Sequence, residues 1–166
     1  MHVLQRIAVQ ADDKDMAFRT VKDYLEADLS DNQSWYDWFV CGGGRWNPNE
    51  GSQYNDDDQS MTISYAEEPE KFIQTINEAI EARVEEFNQY RKQIKDTDIN
   101  ASLDKYDGQM DFGFDLYPLG KCIDMLQGKW DFNSYFYDMH NDTTNTKYML
   151  DNLDDSWYIV FVDFHF

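Results

Sequence analysis

A glycine-rich segment, Cys41-Gly42-Gly43-Gly44-Arg45-Trp46, is the first place where residue types could support chemistry. Glycines let backbone N–H groups approach an anion, and the planar guanidinium of Arg45 can hold a phosphate or carboxylate through two hydrogen bonds. The segment matches neither G-x-x-x-x-G-K-[ST] nor G-x-G-x-x-G, the common nucleotide-binding patterns. Two interpretations stay open: an anion-binding loop, or a tight turn in which Arg45 pairs with a nearby Asp and Trp46 packs.

Asp163 and His165 form a second candidate near the C-terminal end of the sequence. In a strand, residues two apart project from the same face, so the carboxylate could orient the imidazole as in general bases and metal sites. Arg45 would join them if the glycine turn and the strand end meet. No motif places a Ser or Cys nucleophile, and His2 and His140 lack a metal-ligand spacing. The alternative is structural, with Asp163 paired to Arg45 and His165 capping the sheet.

Aspartates make up the third candidate, an acidic surface built from clusters at 56–58, 104–115 and 151–155, together with Asp131. Its proposed members are Asp56, Asp57, Asp58, Asp104, Asp107, Asp111, Asp115, Asp131, Asp151, Asp154 and Asp155. Duplex DNA carries one charge per ~1.7 Å of axis, and its protein partners meet it with basic grooves. Carboxylates held at fixed positions can therefore occupy such a groove in place of nucleic acid. Tyr and Trp residues beside them, above all in 130–137, would be contact anchors.

Solubility and calcium binding are alternative interpretations of the acidic surface, and both stay open. Acidic surfaces favour solubility without any partner. Asp-rich loops also bind calcium, although the segment 104–108 (DKYDG) only loosely resembles a calcium-binding loop.

Charge and composition restrict the function classes. The chain has 166 residues, with 33 Asp and Glu against 14 Lys and Arg, and a formal net charge of −19. Such a chain repels DNA, RNA and anionic lipid, so we expect no direct binding to nucleic acid or membranes. A protein that itself binds nucleic acid remains a suitable partner.

The hydrophobic content indicates a folded domain in a reducing compartment. Hydrophobic residues make up 42% of the chain and aromatic residues 16%, more than acidic disordered chains contain. No apolar run approaches the ~18–20 residues of a membrane span, and the first residues do not form a signal peptide. Two cysteines fit a reducing environment and form no zinc pattern. We therefore expect a cytoplasmic protein without a cofactor or metal.

Hydrophobic periodicity predicts the elements that must position these residues. Strands are predicted over 2–10, 35–41, 61–66 and 157–166, and helices over 14–29, about 68–95 and 116–127. The order β-α-β-β-α-β predicts an α+β, ferredoxin-like (split βαβ) fold, with an antiparallel sheet and two helices on one face. We expect one domain over 1–166, with 96–156 as an insertion or subdomain. The last strand is apolar on both faces, so we expect this insertion to cover it as an edge strand.

Three segments carry a family resemblance: Trp35-Tyr36-Asp37-Trp38-Phe39, Gly43-Gly44-Arg45-Trp46 and Val162-Asp163-Phe164-His165-Phe166. They resemble small phage and prophage proteins that share a D-W-[YF]…G-G-R-W segment and a closing V-D-x-H-[IF] strand. The likeness covers the two ends of the chain and not 96–156. It implies a phage accessory origin and a compact α+β domain, and because those proteins have no defined function, it transfers no catalytic residues.

These observations lead to one main hypothesis and two alternatives. We expect a non-enzymatic, phage-encoded inhibitor that blocks the basic groove of a host defence protein, such as a CRISPR effector or restriction enzyme, by nucleic-acid mimicry. It resembles DNA-mimic anti-restriction and anti-CRISPR proteins in charge and size alone. The first alternative is a small-molecule or nucleotide pocket, in a signal sponge or enzyme, built on Arg45, Trp46, Asp163 and His165. The second is a structural accessory protein of the virion.

Overall fold

The computed structural model describes residues 1–31, 34–104 and 113–166, with 103–104 and 113–115 described by their backbone alone. The strands are β1 (His2–Gln10), β2 (Trp38–Cys41), β3 (Ile63–Ser64), β4 (Phe136–Asp138) and β5 (Trp157–His165). The helices are α1 (Lys14–Ser30), α2 (Pro69–Asp96), α3 (Ile99–Asp104), α4 (Gly113–Gln127) and α5 (Lys147–Asp151). Short 3-10 turns occupy Gly44–Trp46 and Ser52–Tyr54.

The five strands form one mixed sheet in which the last strand lies inside. The order is β2-β5-β1-β4, and β3 also pairs with β5. β5 runs antiparallel to β1 over its whole length, from His165 opposite His2 to Trp157 opposite Gln10. β4 pairs with β1 in parallel. Part of the predicted insertion thus contributes a strand next to β1.

Helices cover both faces of this sheet. On one face, α1 packs on β1 and β5; its apolar residues Phe18, Val21 and Leu25 share a core with Ile7, Val160 and Val162. On the other face, α2 packs through Phe72 and Ile76 against Ala8, Ile159 and Phe161. The side chains of β5 point alternately into these two cores, as the alternating pattern of its sequence predicts. In the described residues, the architecture is therefore helix, sheet, helix.

The α+β class is confirmed, whereas the predicted arrangement of its elements is wrong. A ferredoxin-like plait would have an antiparallel sheet with both helices on one face and the last strand at an edge. Here one strand pair is parallel and the two long helices lie on opposite faces. The reason is the composition of β5: a strand that is apolar on both sides is best buried between two helix layers. Its edges are covered by neighbouring strands rather than by the insertion.

The glycine run holds β2 and β3 end to end along one edge of β5. β2 pairs with residues 162–165 of β5, and β3 with residues 158–159. Between them, the N–H groups of Gly42 and Gly43 both donate to the carbonyl of Phe161, at 2.8 and 2.9 Å. Both strands are shorter than predicted, and the turn that follows β2 brings Gly44 close to the side chain of Asp163.

Local capping explains the start of α1. The carboxylate of Asp13 accepts a hydrogen bond from the backbone N–H of Met16 at 2.8 Å, as the sequence predicts for an N-cap. The start of α2 uses Pro69 in the first turn instead, where no intrahelical N–H is needed. No helix within the described ranges is long and apolar enough to cross a membrane.

Candidate functional site

The glycine turn brings Arg45 onto the end of β5. Gly42 and Gly44 have φ angles of +85° and +48°, which L-residues with side chains rarely adopt. A Cβ on Gly42 would lie 2.0 Å from the backbone oxygen of Asp58, and one on Gly44 would lie 2.6 Å from the Cβ of Asp163. Only glycine lets the turn pass this close to β5, so the glycines of the turn determine the position of the next residue, Arg45.

Asp163 is the buried centre of the resulting cluster, with 1% of its surface exposed. Its carboxylate accepts hydrogen bonds from the backbone N–H of Arg45 at 3.2 Å and from Nδ1 of His2 at 2.9 Å. The Nε of Arg45 lies 3.8 Å away. Because a buried carboxylate is costly without partners, these groups offset the loss of water around Asp163.

The hydrogen bonds of His2 define its tautomer. Nη2 of Arg45 lies 2.6 Å from Nε2 of His2. A guanidinium can only donate, so Nε2 must be the acceptor and the ring proton must sit on Nδ1, facing Asp163. Arg45 and Asp163 thus hold the His2 ring from both sides.

His165 lies beside His2 on the neighbouring strand. Its Nδ1 donates to Oδ1 of Asp37 at 2.6 Å, and this hydrogen bond is the main reason that the pKa of Asp37 falls below its usual value. The imidazole stacks on Trp38, with ring centres 5.0 Å apart, and meets His2 edge-on at 4.9 Å. Two Asp–His pairs are thus packed side by side on one sheet face.

The outer side of the cluster is open to solvent. The Arg45 side chain is 44% exposed, and its guanidinium carbon lies 5.8 Å from the ring centre of Trp46, which is 39% exposed. We name this set the Arg45 cluster; its members are His2, Asp37, Trp38, Arg45, Trp46, Asp163 and His165. The structure brings together Arg45, Trp46, Asp163 and His165, the four residues singled out from the sequence.

Sequence reasoning did not assign His2, Asp37 and Trp38 to this site. The signal for His2 was its place at the start of β1, which becomes informative only once β1 is known to pair with β5. Asp37 and Trp38 belong to the phage-like segment. Trp38 pairs with His165, and the backbone N–H of Asp37 donates to the His165 carbonyl, so this segment and the closing strand lie next to each other in the fold.

The acidic cluster at 56–58 divides into two different roles. Asp56 and Asp57 both pair with Nζ of Lys22, at 3.0 and 2.9 Å, and the Asp57 side chain is 81% exposed. Asp58 instead organises its own loop, accepting from the Ser52 hydroxyl, from the Ser60 N–H at 2.8 Å and from the Asn47 amide at 3.1 Å. The bonds from Ser52 and Ser60, that of Ser52 foremost, hold the pKa of Asp58 well below its usual range. Asp56 and Asp57 are available to a partner, and Asp58 is engaged within the loop.

We expect Asp58→Asn to lower the free energy of unfolding by about 2 kcal/mol at neutral pH, because it removes charged hydrogen-bond acceptance from several donors. A carboxylate with a lowered pKa stabilises the fold above its unfolded pKa of about 3.9, and this contribution disappears as pH falls through the folded value. The difference in the free energy of unfolding between wild type and variant should therefore decrease as the pH is lowered below about 4. Urea unfolding at several pH values measures this. Asp57→Asn, at an exposed position, is the control and should cost under about 0.5 kcal/mol.

A wider acidic face forms where the 56–59 loop meets α1. Asp15 and Glu26 lie three helical turns apart on the side of α1 that carries Lys22. The side-chain amide of Gln59 donates to Asp15 at 3.0 Å, which fixes the loop against this side of the helix. We name Asp15, Glu26, Asp56 and Asp57 the α1 acidic face; all four side chains have solvent exposure.

Asp131 and the segment around it are not part of an exposed surface. Asp131 is 6% exposed, pairs with the buried Nζ of Lys121 and accepts from the Asn133 N–H at 2.9 Å. Trp130 stacks on the buried ring of Tyr137, with 4.2 Å between ring centres. The predicted contact patch at 130–137 is therefore wrong, because most of these side chains pack inside the domain.

The remaining predicted acids are scattered. Asp151 pairs with Lys147 at 2.9 Å. Asp154 accepts from the hydroxyl of Ser156 and from its backbone N–H at 2.9 Å, and these turn contacts, the hydroxyl foremost, lower the pKa of Asp154. Asp155 is exposed. Asp107 and Asp111 lie outside the described residues, and for Asp104 and Asp115 only the backbone is described, in α3 and α4.

Negative charge also lines the outer side of α2. Glu70, Glu78, Glu81 and Glu85 are exposed along this helix, on the opposite side of the sheet from α1. The surplus charge is thus not confined to one face of the protein. Among the described residues, the α1 acidic face and the α2 glutamates are separate carboxylate surfaces, and they can be tested against each other.

Metal and thiol chemistry find little support in the described ranges. There, no group of three or more His, Cys, Asp or Glu residues could hold a metal ion. Cys41 and Cys122 are buried free thiols, and burial raises the pKa of each, which disfavours the reactive thiolate.

Comparison with known proteins adds no relative. No protein-family model, no curated protein and no solved structure matches the chain. The resemblance to phage proteins accordingly stays a prediction, and the functional argument depends on the geometry above.

Proposed function

We propose that the protein is a phage-encoded, non-enzymatic inhibitor that uses its α1 acidic face to occupy the basic groove of a host nucleic-acid-binding defence protein. A CRISPR effector or a restriction enzyme is the proposed target class, and the host cytoplasm the proposed compartment. The observation that carries the proposal is the fixing of Asp56 and Asp57 around one lysine, next to the acids of α1.

The charge balance supports this proposal. In the described part of the chain, at least eight basic side chains form ion pairs with acids of the same molecule. They are Arg6, Arg19, Lys22, Arg45, Lys71, Lys121, Lys129 and Lys147. Acids outnumber bases by 33 to 14, so the surface keeps a negative surplus even though Asp15 pairs with Arg19 and Asp56 and Asp57 share Lys22. Their field attracts basic grooves and speeds encounter with them.

The α1 acidic face suits mimicry better than the row on α2. Aspartate side chains are short, and Lys22 joins the 56–57 turn to the helix, so these charges keep their spacing. The hydrogen bonds of Asp58 stiffen the same turn. The α2 row consists of glutamates, whose longer side chains have more rotamers to restrict. Glu78 is held by Arg6 at 3.6 Å and by the amide of Gln74 at 3.0 Å, whereas Glu81 and Glu85 are exposed.

A displacement assay tests the function directly. Labelled duplex DNA or guide-bound target is held by each member of a panel of CRISPR effectors and restriction enzymes, and fluorescence anisotropy follows its release. We expect the protein to displace nucleic acid from at least one member at low salt. Its direct binding to that member, followed without nucleic acid, should weaken strongly towards about 1 M salt, where the screening length is about 3 Å. Lack of displacement from every member, or direct binding that does not depend on salt, contradicts the proposal.

A further inference from the structure

The Arg45 cluster has a feature that charge mimicry does not use. Arg45 and His2 meet at 2.6 Å through Nη2 and Nε2, and this contact requires a neutral imidazole. If His2 takes up a proton, Nε2 becomes a donor and can no longer accept from Arg45, so this contact breaks and the two positively charged groups move apart. An anionic oxygen that enters beside them would then accept from both.

We propose that Arg45 and His2 form a binding site for an oxyanion, a phosphate-type or carboxylate group, and that its binding is coupled to protonation of His2. Bidentate capture of oxyanions is the usual chemistry of a guanidinium. This proposal is independent of the acidic-face function.

Asp163 and the glycine turn position Arg45 and His2 from the protein side. Asp163, nearly fully buried, faces Nδ1 of His2 and the backbone N–H of Arg45, so it orients both donors from the protein side. An Asp behind a His also stabilises the imidazolium that forms when Nε2 takes a proton. The turn through Gly44 keeps Arg45 at the end of β5, so its position is set before the ligand arrives.

Aromatic rings flank the same space. Trp38 meets His2 edge-on with ring centres 5.1 Å apart, and the Trp46 ring lies 6.5 Å from His2. The partly exposed Trp46 beside Arg45 gives a surface on which a planar group of the ligand can stack. We therefore expect a ligand with an oxyanion and an attached ring, such as a nucleotide or an aromatic carboxylate.

Other titratable groups face this pair from each neighbouring element. Asp163 and His165 belong to β5, and Asp37, just before β2, holds the far side of His165. The N-terminal amino group adds a positive charge, 3.4 Å from Nε2 of His165. Within the described residues, these groups and Arg45 set the charge around His2. Their negative members oppose free anions, so we expect a weak, millimolar site for simple anions.

Sulfate is the primary probe, because its charge does not change over the pH range of interest. We expect saturable quenching or enhancement of tryptophan fluorescence by sulfate, about tenfold or more tighter at about pH 5.5 than at about pH 8. Arg45→Gln should abolish the response and His2→Gln its pH dependence. Arg19→Gln, which removes an exposed arginine from α1, is the matched control and should leave the response intact. A response that is absent, independent of pH, or retained in Arg45→Gln overturns the proposal.

The ligand class and the protonation step have separate readouts. Adenosine monophosphate and benzoate, compared with sulfate, distinguish a phosphate ligand from a carboxylate one by which binds more tightly. In the wild-type protein, ¹⁵N NMR of the imidazoles should show Nδ1-protonated, neutral His2 without ligand and a doubly protonated ring with sulfate bound. An unchanged His2 spectrum on saturation contradicts the coupling, and this result does not depend on any variant folding.

Discussion

Asp131→Asn should lower the free energy of unfolding by about 3–5 kcal/mol, the largest effect that we expect from any single substitution. Asp131 and Lys121 form an ion pair from which water is almost excluded, and the Lys121 nitrogen also lies 4.2 Å from the ring centre of Phe132. Removing the carboxylate charge leaves the ammonium buried without its main partner. Denaturant unfolding followed by circular dichroism measures the loss.

The matched control is Asp151→Asn, which breaks an exposed ion pair with Lys147 one helical turn away. Exposed pairs of this kind contribute about 0.3–0.5 kcal/mol. A similar cost for both substitutions would show that Asp131 is solvated. In that case Asp131 would belong to the acidic surface after all.

Gly44→Ala should destabilise the fold by about 3 kcal/mol and disrupt the Arg45 cluster. Its φ of +48° strains any residue with a Cβ by about 1–2 kcal/mol, and the new methyl group would lie 2.6 Å from the buried side chain of Asp163. The contact cannot be relieved outward, because β5 lies in the middle of the sheet. Thermal unfolding measures the loss of stability, and the ¹⁵N NMR signals of His2 report the state of the cluster.

Gly51→Ala separates the backbone strain at a positive φ from the close contact with Asp163. Gly51 has a similar left-handed φ of +85°, yet a Cβ there meets nothing within 4 Å. We expect only the backbone cost of about 1–2 kcal/mol and unaltered His2 signals. Equal effects of the two alanines would mean that close approach to Asp163 does not hold the turn in place.

Periodicity in the sequence predicted the elements that are long enough to show it. β1, α1, α2 and β5 match their predicted ranges closely, and both faces of β5 were assigned correctly. The sheet order was not predictable in the same way, because alternation tells which face a residue occupies and not which strand lies beside it. β4 has three residues and α5 five, too few to display a period.

The candidate sites were predictable to different degrees for a related reason. Arg45 and Asp163 carry opposite charges, so their ion pair could be anticipated although the two residues are far apart in the sequence. The burial of Asp131 could not be anticipated. An aspartate flanked by aromatic residues gives the same sequence pattern whether it lies at an interface or in a buried ion pair. Lys121, ten residues earlier, is the partner that distinguishes the two, and no periodic pattern links them.

Removing two charges from either carboxylate surface tests the central claim most directly. Asp56→Asn/Asp57→Asn and Glu81→Gln/Glu85→Gln change the net charge equally, the first on the α1 acidic face and the second on α2. With the target found by nucleic-acid displacement, we expect the first variant to associate about tenfold more slowly at low salt and the second to behave like wild type. Equal slowing of both, or slowing of the α2 variant alone, would contradict an inhibitor that binds through the α1 acidic face.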